Sequence, residues 1–405
     1  MTETPQDLNT IDLDAMTVRI VPSIHDIDAA QWDICARVNS ADCNPFVRHA
    51  FYSALEDSGS VTTDTGWQSQ HVAVETPDGT LLACAAMYLK DHSYGEYVFD
   101  WGWANAYERA GGRYYPKLQC AVPFTPVTGP RLMTRPGLDA ATIAQLKRTL
   151  LAGMIEVADR LNVSSLHITF PDEDDFTLMA DAGLLERYGQ QFHWKNENYA
   201  DFDGFLDALS SRKRKNIRKE REKANSCGVD IYAVSGDDIT ARHWDAFYRF
   251  YRLTSDRKWG QAYMTRSFFD LLSERMGDQV VLIMGEEDGD IVCGALNLLG
   301  GDTLYGRNWG TIVNHPMLHF EVCYYRAIDY AIAHGLAWVE AGAQGPHKLQ
   351  RGYLPRKTYS AHWIADGGFR QAVAQFLKQE RPAVEDDVDT LTEMGPFKRT
   401  GRASS

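Results

Sequence analysis

VVLIMGEEDGDIVCGALNLLGGDTLYGRNWG, residues 280–310, decides the fold. Residues 280–286 and 291–299 are apolar and rich in β-branched side chains, and Asp288-Gly289-Asp290 between them is a hairpin turn. A third strand, 303–309, follows a Gly-Gly-Asp break. Three strands this close together, with no room for crossovers, form an antiparallel meander. Working outward, a strand at 230–234 and helices at 238–256 and 266–276 precede the meander. A helix at 320–334 and strands at 337–340 and 358–364 follow it.

The first half of the chain repeats this order. A strand is expected at 17–24 and helices at 28–38 and 46–57, the second after the start signal Asn44-Pro45. Strands follow at 70–75, 81–89 and 96–101, the first two joined by a turn at Pro77-Asp78-Gly79. A long loop at 107–136, rich in Gly, Pro and aromatic residues, leads to a helix at 140–161 and a strand at 165–170. The letters agree too: GTLLACAA at 79–86 sits opposite GDIVCGAL at 289–296. The expectation is an α/β fold of the α+β kind, two tandem copies of one unit with mixed, largely antiparallel sheets. Residues 1–16 read as a flexible tail, 17–195 as the first domain, 196–376 as the second, and 377–405 as a C-terminal helix and tail. A hinge is expected near 188–199.

At 405 residues the chain is long enough for two cores. Its seven cysteines are scattered, odd in number and form no Cys-x-x-Cys pair, so neither a disulfide framework nor a metal site is expected. The first residues are acidic and polar, unlike a secretory signal, and no apolar run reaches the ~20 residues that span a bilayer. A reduced, cytoplasmic protein is the expectation. The net charge of −14 argues against DNA as a partner and against a membrane-surface adaptor.

Against that acidic background stands SSRKRKNIRKEREK, residues 210–223, with eight basic and two acidic residues. It holds no Gly or Pro and reads as a helix opening the second domain. Arg212, Lys213, Lys215 and Arg218 are the expected contacts for the phosphates of a donor, a tRNA or a lipid head group.

A second constellation is EAGAQGPHKLQRGYLPRKTYSAHW, residues 340–363. It places His347, Lys348, Arg351 and Tyr353 in a turn-rich segment just past a strand end, where α/β folds keep their sites. Transfer of an acyl group to an amine needs a proton acceptor and donors for the oxyanion. Lys348 supplies a cation for the oxyanion, and His347, or Glu340 through water, takes the proton. Arg351 and Tyr353 are expected to hold substrate. Arg307 and Asn308 on the strand at 303–309 line the same cleft. His319, at the start of helix 320–334, faces the donor. In the first domain Asp100 is the carboxylate that would attract an acceptor's ammonium, with Tyr114, Tyr115 and Lys117 near it.

Four strings in combination, NPFVRHAFYSALEDSGSV (44–61), YYPKLQCAVPFTPVTGPRL (114–132), SSRKRKNIRKERE (210–222) and GAQGPHKLQRGYLPRKTYSAHW (342–363), resemble a bacterial family of N-acyltransferases. That family carries the label peptidoglycan biosynthesis/recognition and is grouped with the FemAB-like branch of the GNAT superfamily. The resemblance runs from about residue 17 to 376. It implies two GNAT-like domains in tandem and transfer of an acyl or aminoacyl group to a small-molecule amine. It also implies a phosphate-bearing donor, an acyl-CoA or an aminoacyl-tRNA, with no metal. Relatives carry a lysine-containing segment near the transferred group, matched by Lys348, and a basic helix matched around 216–218. The Gln/Arg-x-x-Gly-x-Gly/Ala loop of acetyl-CoA users is missing from both halves, and so is the inserted coiled coil of some tRNA users. A non-catalytic transferase relative that binds tRNA or an anionic glycolipid through the basic helix stays open as the alternative.

Overall fold

The computed structural model describes Asp12 and residues 15–41, 43–259, 262–342 and 345–398. Most of the tail expected at 1–16, and residues 399–405, lie outside the described residues. The chain divides into two compact units, Met1–Gly189 with Thr358–Pro382, and Gln190–Lys357 with Ala383–Ser405.

The first unit opens with β1 (Thr17–Val21), α1 (Ala29–Cys35) and α2 (His49–Asp57). Then come β2 (Trp67–Ser69), β3 (His71–Glu75), β4 (Leu81–Ala85), β5 (Met87–Lys90), α3 (Trp101–Arg109), β6 (Lys117–Cys120) and β7 (Met133–Thr134). It continues through α4 (Ala140–Arg160), β8 (Ser165–Thr169), α5 (Glu173–Asp181) and the first half of β9 (Leu185–Lys195). One antiparallel sheet runs β1-β3-β4-β7. A second runs β2-β5-β6-β8, with β6 and β8 parallel, and residues 360–364 pair antiparallel with β8. Asp139 caps α4 by accepting from the amides of Ala141 and Thr142. Leu146, Leu150, Leu151 and Met154 recur at helical spacing and are buried against Val72, Val74 and Leu82. Each such side chain contributes about 2 kcal/mol of burial.

The second unit holds the rest of β9, α6 (Phe202–Ala208), α7 (Ser211–Asn225), β10 (Asp230–Ser235), α8 (Ala241–Trp259) and α9 (Arg266–Met276). The meander is β11 (Val280–Glu287), β12 (Asp290–Gly300) and β13 (Thr303–Thr311). Asp288 and Gly289 both take positive φ, 51° and 85°, the two-residue turn that suits the twist of a hairpin. A helix follows in three pieces: α10 (Leu318–Phe320), a π-turn (Glu321–Tyr325) and α11 (Arg326–Ala333). Next are β14 (Trp338–Glu340), a 3-10 turn (Pro346–Arg351) and the start of β15 (Leu354–Ile364). The sheet order is β10-β11-β12-β13-β14-β9, with only β13 and β14 parallel among these pairs. Val281 and Ile283 join the cluster of Val322, Tyr325 and Ile328, while Met284 and Phe247 close over Gly294 on the other side. Burial on both faces explains why β11 reads as an unbroken apolar run.

Several expectations change. Residues 96–101 form no strand, because Glu96 and Asp100 turn inward onto Lys117 and α3 begins at Trp101. The strand expected at 81–89 breaks at Ala86, and its halves enter different sheets. The loop expected at 107–136 contains the buried strand β6. The hinge expected near 188–199 falls largely on β9, and α5 and α6 were not anticipated. Residues 358–376, expected in the second domain, belong to the first unit. The C-terminal helix α12 (Gly367–Glu393) starts well before residue 377. Among the described residues, no helix is long and apolar enough to cross a membrane.

Candidate active site

The parallel pairing of β13 with β14 runs from Thr303↔Trp338 to Tyr305↔Glu340 and stops there. β13 continues along β12 as far as Thr311. Its register slips between Leu296 and Asn297, whose partners are Asn308 and Gly306, so Arg307 is the extra residue of a β-bulge. Beyond Tyr305 the edge of β13 on the β14 side has no strand partner among the described residues. At the bulge the Gly306 carbonyl accepts from Arg307 Nη1 at 2.9 Å.

Side chains from four elements converge here. Glu340 is the last residue of β14 and is 3% exposed; its Oε1 lies 2.9 Å from Arg307 Nη2. His193 of β9 stands opposite Glu340, and its Nε2 lies 3.1 Å from Gln191 Oε1. Lys348 comes from the 3-10 turn and is 2% exposed. Its Nζ donates to the carbonyls of Ala341 and Gly342, the residues that continue β14. An ammonium has three N–H donors, and two of them are taken among the described residues. Burial pulls Lys348 down to about 8, and Glu340 partly opposes that pull. Burial likewise pulls His193 down to about 4, so its imidazole is neutral at pH 7. Gly342 takes φ +71°, and a Cβ on Gly306 would lie 3.4 Å from the Glu340 carbonyl, so two backbones run close together at this point.

A ring cluster lies at the start of the π-containing helix. His347 is exposed, and its Nε2 lies 2.9 Å from the Tyr324 hydroxyl. His319 sits 5.2 Å from Trp309 and 6.2 Å from His347, centroid to centroid. His347 and Lys348 are thus neighbours in sequence that point apart, one outward and one into the core. Arg351 is held by both guanidinium ends: it donates to Glu220 and to the His347 carbonyl, both at 2.8 Å, and lies 3.4 Å from the Phe320 ring centroid. Tyr353 is buried and donates to the Tyr324 carbonyl. Both were expected to bind substrate, and both instead hold the 3-10 turn against α7 and the π-turn.

The basic helix α7 packs against that turn. Ile217 and Ala224 form its buried face. Arg214 pairs with Asp207 and Arg218 with Asp203, while Arg221 clamps the buried Glu321 and Asp329. Arg212, Lys215, Lys219 and Lys223 recur at helical spacing, are exposed, and make no ion pair among the described residues. Lys213 is half-buried.

Asp100 belongs to the first unit and is 2% exposed. Its Oδ2 accepts from Lys117 Nζ and from the Tyr114 hydroxyl. Despite burial, Lys117 holds its carboxyl well below the usual range. It is a structural anion, closed to the acceptor role expected of it. His193 and Glu220 were missed at the sequence level. The alternation of buried Phe192 and Trp194 with His193 along β9 was the available signal.

A family profile described as FemAB-like, peptidoglycan biosynthesis/recognition, matches residues 23–399. The chain belongs to the FemAB-like family. Among solved structures it is similar to FemX, at 12% identity and TM-score 0.51, over 86% of this chain and 98% of that one. It is also similar to the C-terminal DUF2156 domain of a putative lysylphosphatidylglycerol synthetase from Agrobacterium fabrum. There the identity is 12% and the TM-score 0.51, over 88% and 97% of the two chains. A tandem GNAT protein from the clavulanic acid biosynthesis pathway matches at 12% identity and TM-score 0.46, over 86% and 98%. No curated protein sequence matches. At such identities the first two likenesses show the fold alone.

Proposed function

We propose that this FemAB-like protein transfers an acyl or aminoacyl group from a phosphate-bearing donor to an amine, and that the second unit carries the reaction. The observation that supports this most is the delivery of the buried Lys348 ammonium to the end of β14, beside the β13 bulge and the Glu340–Arg307 pair.

In this reading the acceptor amine attacks the donor carbonyl, so an N–C bond forms and an oxyanion develops. Lys348 stabilises it with its remaining N–H, together with a backbone amide of the bulge. The amine's proton passes to Glu340, directly or through neutral His193. The C–S or C–O bond to the donor then breaks, and the leaving thiolate or ribose alkoxide takes a proton. Arg307 keeps Glu340 in place. Arg212, Lys213, Lys215 and Arg218 of α7 meet donor phosphates, with Lys219 and Lys223 continuing the same exposed face. The ring cluster of Trp309, His319 and His347 flanks the donor's path, and Asn308 lines it. The acceptor is an amine of a cell-envelope precursor, in line with the family description. A cytoplasmic location belongs to the same proposal.

Two assays test this. One follows thiol release from a panel of acyl-CoAs with an amine, and the other follows label transfer from aminoacyl-tRNA. Turnover with either donor supports the reading. The unpaired stripe on α7 favours one second reading, a binding protein without turnover. That protein would bind tRNA or an anionic glycolipid in a salt-sensitive way, lost in a Lys215→Glu/Lys219→Glu variant, and would give no product in either assay.

A further inference from the structure

The first unit holds an open apolar cavity of about 890 Å³ between α3 and α12, within the range that takes whole ligands. Its floor is made of small residues, Gly102 and Ala106 on α3 and Ala372 on α12. One end is closed by Tyr107 stacked on Phe369 at 4.4 Å. The two charged side chains that line it are already engaged. Arg187 donates to both Glu380 oxygens and to the Phe99 carbonyl, and Asp366 accepts from the Phe369 amide at the start of α12. With these groups committed, an occupant must be apolar along its length.

The rim says what kind of molecule brings that apolar part. Phe99 and Phe376, both lining residues, are 42% and 48% exposed, and Tyr94 and Trp101 beside them are 46% and 40% exposed. Rings join Tyr94 to Trp101 and Trp101 to Phe99. At the stacked end, Arg109 and Arg113 bracket the lining residues 110–112, and Arg370 follows Phe369. None of the three arginines makes an ion pair among the described residues. An apolar slot with exposed aromatic rings and arginines that make no ion pair among the described residues complements an amphiphile with an anionic head. Aromatic side chains of this kind sit at bilayer interfaces, and arginines there attract anionic head groups. The net charge of −14 counted against a membrane-surface role in the sequence, but charges beyond ~8–10 Å are screened at physiological salt, so the local arginines govern contact with a head group.

We propose that the first unit docks on anionic membrane lipid, taking one acyl chain between α3 and α12 with Arg109, Arg113 and Arg370 at the head group. The docking is separate from the transfer chemistry proposed above and does not use α7.

The test is co-sedimentation of the full chain with vesicles of phosphatidylglycerol in phosphatidylcholine, against phosphatidylcholine alone. A Cβ at Gly102 meets nothing within 4 Å, so Gly102→Trp fills the cavity without displacing protein. The wild type is expected to bind the anionic vesicles only. Gly102→Trp should abolish that binding, and each arginine reversed to Glu should weaken it about fivefold or more. Phe376→Ser, at an exposed position, checks the Gly102 result independently. Lys215→Glu/Lys219→Glu should leave vesicle binding unchanged. Three outcomes overturn the proposal: no vesicle binding, binding indifferent to Gly102→Trp and Phe376→Ser, or binding that follows the α7 lysines. A dimer that Gly102→Trp dissolves, without vesicle binding, would assign the cavity to a second copy and also overturn it.

Discussion

Lys117 and Lys348 are both buried lysines, and their surroundings drive them in opposite directions. Burial pulls each down, but around Lys117 the Glu96 and Asp100 carboxylates more than offset it, and that ammonium stays charged. Lys348 has carbonyls for partners and falls to about 8. If its cation holds the oxyanion, transfer should fall as pH rises through about 8. Lys348→Arg, slower overall, should show no such limb, because a guanidinium does not titrate there. A pH–rate profile of both proteins checks this. In the first unit, His167 and His362 share a hydrogen bond of 2.7 Å between their Nδ1 atoms. Burial pulls His167 to about 3 and His362 well below its ordinary value. The unfolded chain binds these protons near pH 6.5 and the fold only far lower. Stability is therefore lost as pH falls from about 6.5 toward 3. His167→Asn/His362→Asn should lower the melting temperature but flatten its fall between about pH 6.5 and 5. An unchanged slope would assign the acid sensitivity to Asp100 and other carboxylates. The sequence offered Glu340 and Lys348 through their positions at and just past a strand end, and Arg307 through its place on the neighbouring strand. It did not reveal Asp100 as a structural anion, because its partner Lys117 lies across a loop that has no period.

At the scale of elements, α7 was legible from its charge, but the division of labour along it was not. Arg221 faces the unit's interior, where Glu321 is fully buried. Arg221→Met leaves that carboxylate with Arg326 alone, at 3.0 Å. It should cost about 3 kcal/mol of unfolding free energy, whereas exposed Lys219→Met should stay within about 0.5 kcal/mol. Urea denaturation of the two variants separates them. β13 carries a comparable constraint, since a Cβ on Gly310 would come within 2.4 Å of the Phe250 carbonyl of α8. Gly310→Ala should therefore cost roughly 3 kcal/mol through forced separation of helix and strand. The meander was readable because β11 and β12 run apolar and the turns that bound the strands hold residues with positive φ. β9 was not, because its charged and aromatic residues alternate around Gly189 and lack an apolar run.

At the scale of the molecule, two copies of one unit were visible in element order, but the exchange of segments was not. The pairing of 360–364 with β8 and the burial of Ala361, Ile364, Val373 and Leu377 in the first unit are long-range contacts that local pattern does not carry. A fragment of residues 1–189 should therefore lack a cooperative thermal transition, and a peptide of 358–382 added in trans should restore one. Calorimetry reads both. A fragment that melts cooperatively alone would contradict the division into units. For the chain as a whole, the most direct measurement is label transfer to an amine from its active donor, wild type against Lys348→Ala. The account predicts a loss of about a hundredfold or more, with the cooperative melt retained. Undiminished transfer by a folded Lys348→Ala protein would contradict it.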